Sequence, residues 1–127
     1  MAATQAGAYL AKAPEFLTAA QLMLDAGYLS AAAGNAVHAG TSAGDSISCV
    51  LTGTVSTGEH SDAATHLGAI GGNGRQAART LRQLLPLKTR AEYDPLPVSP
   101  ADASKAVVAA ERLVALAERT IAEGSSR

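Results

Sequence analysis

Residues 30–52, Ser-Ala-Ala-Ala-Gly-Asn-Ala-Val-His-Ala-Gly-Thr-Ser-Ala-Gly-Asp-Ser-Ile-Ser-Cys-Val-Leu-Thr, decide the fold of this chain. No proline interrupts the run, and Ser30 is placed to cap its start. Asn35, His38, Ser42, Asp45 and Cys49 recur at steps of three and four, which in a helix aligns them along one face. The neighbouring stripe of Ala36, Ala39, Gly40, Ala43, Ile47 and Val50 is small or apolar. A helix this thin lets its neighbours approach closely. The pattern predicts that it carries its polar seam inward, sheltering His38 and Asp45.

Outward from that helix, composition points the same way. Aromatics are reduced to Tyr9, Phe16, Tyr28 and Tyr93, and period-2 alternation of β-branched residues is almost missing, so the chain reads as all-α. Its 127 residues suit one domain with a core at about residues 14–121. Cys49 is the only cysteine, which excludes an intrachain disulfide and fits a reducing cytoplasm. The start, Met-Ala-Ala-Thr-Gln, has no basic region before an apolar block, and no run approaches the ~20 apolar residues of a membrane span. These features predict a cytoplasmic chain with no membrane partner.

The net charge of −1 hides an uneven distribution. Residues 1–72 hold Lys12 against five acids, whereas residues 73–90 hold Arg75, Arg79, Arg82, Lys88 and Arg90 with no acid. Residues 91–127 return to net −2. The basic potential is therefore expected from the one central segment.

Five helices are expected. The first spans about 14–26, with Phe16, Leu17, Ala20, Met23 and Leu24 inward and Gly27 at its end; residues 4–12 add a turn or two, kinked at Pro14. The second spans 29–52. Gly53 to Gly58 forms a flexible loop, a short helix runs from Glu59 to Ile70, and Gly71-Gly72-Asn73-Gly74 turns into a helix starting near Arg75. Pro86 breaks or kinks that helix, and Asp94-Pro-Leu-Pro-Val98 is extended. The last helix has the clearest start, with Ser99 as cap, Pro100 at its first position and Asp102 completing a capping box; Gly124 stops it. Helices of this length with short turns predict an antiparallel four- to five-helix bundle.

Three segments carry a family likeness. They are Ala32 to Ala39 continuing to Asp45, Gly58-Glu59-His60-Ser61-Asp62 continuing to Leu67, and Lys88-Thr89-Arg90-Ala91-Glu92-Tyr93-Asp94 followed by Ser99 and Asp102. In this order and spacing the chain resembles the HEPN superfamily, small helical bundles of prokaryotes, over about residues 14–121. The resemblance implies a cytoplasmic homodimer packed along the long helices. It also implies roles in RNA cleavage, nucleotide binding, toxin–antitoxin pairs or defence. Catalytic members carry Arg-x4-6-His, and here His38, His60 and His66 all precede Arg75, the first arginine, so that motif is missing.

Each candidate site has a structural and a functional reading. Asn35, His38, Ser42 and Asp45 form either a satisfied internal or dimer-interface network or a ligand or catalytic site. His60 packs against the second helix or converges with His38 on a small polar pocket. Asp62 and His66, four apart, have a spacing able to hold a metal, but two ligands do not make a site, and no metal or cofactor is expected. Arg75, Arg79 and Arg82 share a helical face that is either solvated or tracks phosphates. The glycine turn before Arg75 sits where an anion can meet a helix start. Lys88 pairs with Glu92, and Tyr93 is expected to anchor the connector.

The leading reading is a non-catalytic HEPN-like homodimer that binds RNA, a nucleotide or an antitoxin-like protein, with Asn35, Arg75, Arg79, Arg82, Lys88 and Tyr93 as binding residues. The alternatives are a ribonuclease or nucleotide-processing enzyme using His38, His60 and Asp45 beside the arginine stripe, and a purely structural adaptor.

Overall fold

The computed structural model describes residues 2–53 and 60–125, with the side chains of 6–53 and 64–124. Among these residues the chain is helical and contains no strand. The elements are α1 (Ala2–Asp25), α2 (Leu29–Thr52), α3 (His60–Ile70), α4 (Asn73–Leu84), α5 (Pro86–Tyr93) and α6 (Pro100–Ser125).

α2 packs against all five other helices, as its small side chains allow. A Cβ on Gly40 would lie 2.3 Å from Leu84 Cδ2 and 3.1 Å from Leu113 Cδ1, so two leucines from α4 and α6 rest directly on the backbone there. Gly44 receives Leu67 of α3 in the same way. The core of Val37, Ile47, Leu67, Leu81, Leu84 and Leu113 closes around a bed of buried alanines. Each of those large side chains contributes about 1.5–3 kcal/mol by leaving water.

α1 folds back on α2. Gly27 (φ 85) ends it in a Schellman turn, with Tyr28 N–H donating to Met23 O and Gly27 N–H to Leu24 O. Ser46 Oγ then donates to Ala6 O at 2.9 Å, and Phe16 meets His38, pairing early α1 with late α2.

Four local expectations are revised. α1 is one helix from Ala2, not a short turn ahead of Pro14. Pro14 is exposed, so the Leu10 carbonyl that loses its donor lies on the solvent side, and buried Ala6, Ala13 and Ala20 hold the helix in place. Ser30 does not cap α2, whose N-cap is Tyr28 with no side-chain bond; Ser30 Oγ accepts instead from Val98 N–H at 3.1 Å. Gly124 does not stop α6, which continues to Ser125, and a Cβ on it would lie 3.0 Å from Val50 Cγ1. Its role is to let α6 close on α2. Tyr93 is 73 % exposed, and buried Val98 anchors the connector in its place.

Other starts and stops match. Gly53 (φ 77) caps α2, and α4 gives way to α5 at Pro86, although Leu85 keeps a helical conformation. Ser99 Oγ accepts from Asp102 N–H at 3.1 Å as the N-cap of α6. The Asp102 carboxylate goes to Arg90 at 2.7 Å, which ties α5 to the start of α6. Most of the expected 53–58 loop lies outside the described residues.

Candidate binding face

The polar seam of α2 does not form a sheltered site. His38 is exposed and stacks on Phe16, with ring centroids 5.3 Å apart. Asp45 is half-buried seven residues further on. Seven residues advance a helix by about 10.5 Å, so the two share a face but are too far apart along the axis to touch. Asn35 Nδ2 donates to Ala31 O at 2.9 Å, a bond within its own helix. The buried polar groups of α2 are Ser46 and Ser48.

Burial pushes the Asp45 carboxyl up to about 6. Burial, and then the nearby Asp45 charge, raise the Cys49 thiol, which keeps it protonated and a poor nucleophile. His66 Nε2 is buried without a hydrogen-bond partner. The side chains of His60 and Asp62, and with them the His38–His60 convergence and the Asp62–His66 pair, lie outside the described residues. Among the described residues, no three His, Cys, Asp or Glu side chains group as metal ligands do.

The arginine stripe is accessible, and it is half of a larger feature. The outer surface of α4 divides lengthwise. Arg75, Arg79 and Arg82 are exposed along the side nearer α3, where the Arg82 guanidinium reaches Ala64 O at 3.5 Å and lies beside Gly68. Gln76, Thr80 and Gln83 line the side facing α6. Across from them α6 presents Lys105, Arg112 and Arg119, spaced at seven residues. This spacing puts one cation every two turns, about 10.5 Å apart. Of the acids of α6, Glu111 accepts from Gln21 of α1 and Glu118 follows it one heptad on, while Asp102 pairs with Arg90 and Glu123 accepts from Asn73 at the start of α4.

Between α4 and α6 runs a groove. One stretch of about 600 Å³ is floored by Pro86, Leu87, Val108 and Ala109. A second, of about 300 Å³, meets the first at Arg112. Asp102, the one acid lining the groove, is paired with Arg90. No carboxylate among the described residues forms an ion pair with Lys105, Arg112, Arg119, Arg75 or Arg79. Two rows of cations thus flank an uncharged strip on a chain whose net charge is only −1. Such a face keeps a local positive potential that salt screens but neighbouring acids do not cancel.

The remaining binding candidates are occupied or remote. Lys88 pairs with Glu92 at 3.6 Å, and exposed Tyr93 lies beyond it at the end of α5. At the glycine turn, Gly71 O accepts from Gly74 and Arg75 N–H, and Gly72 O from Gln76 N–H. Asn73 Nδ2 donates to Thr120 Oγ1 at 3.0 Å and to Glu123 Oε2 at 3.3 Å, bringing the protein's own carboxylate to the start of α4.

The α6 cation row is hidden in the charge total of residues 91–127, where acids outnumber bases. Helical periodicity applied to the charges alone separates Lys105, Arg112 and Arg119 from Glu111 and Glu118. None of the described helices is long and apolar enough to cross a membrane. Comparison with protein-family models, with curated proteins and with solved structures gave no match.

Proposed function

We propose that the protein is a non-catalytic, cytoplasmic, HEPN-like antiparallel bundle that acts as a binding or regulatory module for an anionic partner. The partner meets the α4–α6 face. The observation that carries this reading is the pairing of Arg75, Arg79 and Arg82 with Lys105, Arg112 and Arg119 on either side of the uncharged Gln76, Thr80 and Gln83. Cations repelling one another at this density lower stability slightly, so a solvated face of mixed sign would be the cheaper arrangement. The HEPN-like assignment rests on the sequence resemblance, and so does a setting in a toxin–antitoxin or defence pair.

The homodimer is proposed along α1 rather than α2, because the five other helices already cover most of α2. α1 leaves Leu22 63 % exposed on its outer side. Sedimentation of the protein at two concentrations tests this; a monomer at both contradicts it.

Catalysis by His38 with Asp45 is disfavoured by their separation along α2. The deciding experiment incubates the protein with labelled single-stranded RNA of about 20 nucleotides, enough to cross a helical face. The expected result is no cleavage. Cleavage lost in His38→Ala or His60→Ala contradicts the reading and restores the ribonuclease alternative.

A further inference from the structure

We infer that the groove between α4–α5 and α6 is a receptor for a single acidic amphipathic helix supplied by a protein partner. The inference rests on the α4–α6 face being the binding surface, and it names the class of partner.

The first argument is shape. The two stretches of groove join at Arg112 and follow α6 from Asp102 to Arg119. That is about 26 Å at 1.5 Å per residue, the length of a helix of four to five turns. The second argument is chemistry along the length. α6 has an inner stripe of Ala103, Ala106, Ala110, Leu113 and Ala117, all buried in this chain. It also has a second stripe facing out: Ala101, Val108 and Ala115 are exposed and separated by seven residues, and each cation of the row lies four residues beyond one of them. Apolar positions in heptads, flanked by charge in the same heptads, are what a helix presents to a partner helix.

The third argument separates a helix from a nucleic acid. Phosphates need cations but gain nothing from a floor of Pro86, Leu87, Val108 and Ala109. Single-strand binders usually add aromatic platforms for the bases, and no aromatic side chain lines the groove. A helix with leucine-like residues on one side and Glu or Asp along its flank uses both features. Its apolar edge covers exposed Val108 (43 %), and its carboxylates meet Lys105, Arg112 and Arg119. Gln76, Thr80 and Gln83 on the opposite wall offer neutral hydrogen-bonding groups, which set no charge demand on the other flank.

The test is a fluorescence-anisotropy titration with synthetic helical probes of about 18 residues, a length that matches the groove. One probe carries Leu at the a and d positions and Glu on its flanks. A second replaces the Glu with Lys, a third scrambles the first so that no apolar face remains, and a fourth is oligouridylate RNA. Arg112→Glu and Val108→Ser change exposed side chains, and thermal melts establish that both variants remain folded.

The inference expects the Glu-flanked helix to bind at low salt and the Lys-flanked helix to fail. Arg112→Glu weakens binding at least about tenfold, and Val108→Ser weakens it by a smaller factor. Equal binding of the scrambled probe, or no loss in either variant, overturns it. RNA binding lost in Arg112→Glu, with no helix binding, also overturns it while leaving the anionic-partner reading intact. Failure of all four probes overturns both.

Discussion

Asp45 is a carboxylate held half-buried on α2. Burial among the helices raises its carboxyl to about 6 from 3.8 in solution. The folded protein therefore holds this proton more tightly than the unfolded chain does. Stability from this group is greatest below about pH 4, declines as pH rises towards 6, and stays low above. Asp45→Asn keeps the shape and removes the charge. At pH 7.5 it should stabilise the protein by about 1–2 kcal/mol, a figure reduced for the partial solvation of the site. At pH 4 the difference should vanish. Urea unfolding at the two pH values measures this, and equal effects at both would show that Asp45 is not strained by burial. Periodicity places Asp45 and His38 on one polar line of α2 but does not say which way that line faces. Expected inward, the line leaves Asp45 half-buried and His38 exposed. Phe16, visible in the sequence as a core residue of α1, is what His38 meets.

At the scale of the element, glycine separates two physical situations that look alike in sequence. Gly34 sits in α2 with nothing within 4 Å of a new Cβ, whereas a Cβ on Gly74 would fall 2.6 Å from Leu67 O. Gly34→Ala should stabilise by about 0.5–1 kcal/mol through the entropy of the unfolded chain. Gly74→Ala should cost about 1–3 kcal/mol, because α3 and α4 must part to admit the methyl group. Denaturation midpoints of the two variants should move in opposite directions. Ser99→Ala removes the N-cap acceptor of Asp102 N–H and should cost about 1 kcal/mol, readable as a drop in Tm. Most boundaries were legible from proline, glycine and capping residues: Gly53, Pro86, Ser99 and Pro100 act where their chemistry says. Pro14, Ser30 and Gly124 did not, for a common reason. Each is overruled by a neighbour distant in sequence, whether the packing of α1, the Val98 amide or Val50.

On the scale of the whole molecule, the all-helical fold follows from the small-residue run of α2, which accepts Leu84 and Leu113 at Gly40 and Leu67 at Gly44, one turn further on. The binding face was half legible. Arg75, Arg79 and Arg82 stand out because no acid interrupts their segment, while Lys105, Arg112 and Arg119 are masked by the acids interleaved with them in sequence. Only the packing of α4 beside α6 makes them one surface. The account therefore turns on that surface, and a minimal polyanion reads it without presuming a partner. Isotope-labelled protein titrated with poly-L-glutamate at low salt should show amide shifts concentrated at residues 75–83 and 105–119, fading as salt is raised. Shifts spread evenly over the molecule, or centred on α1 with α4 and α6 silent, would contradict it.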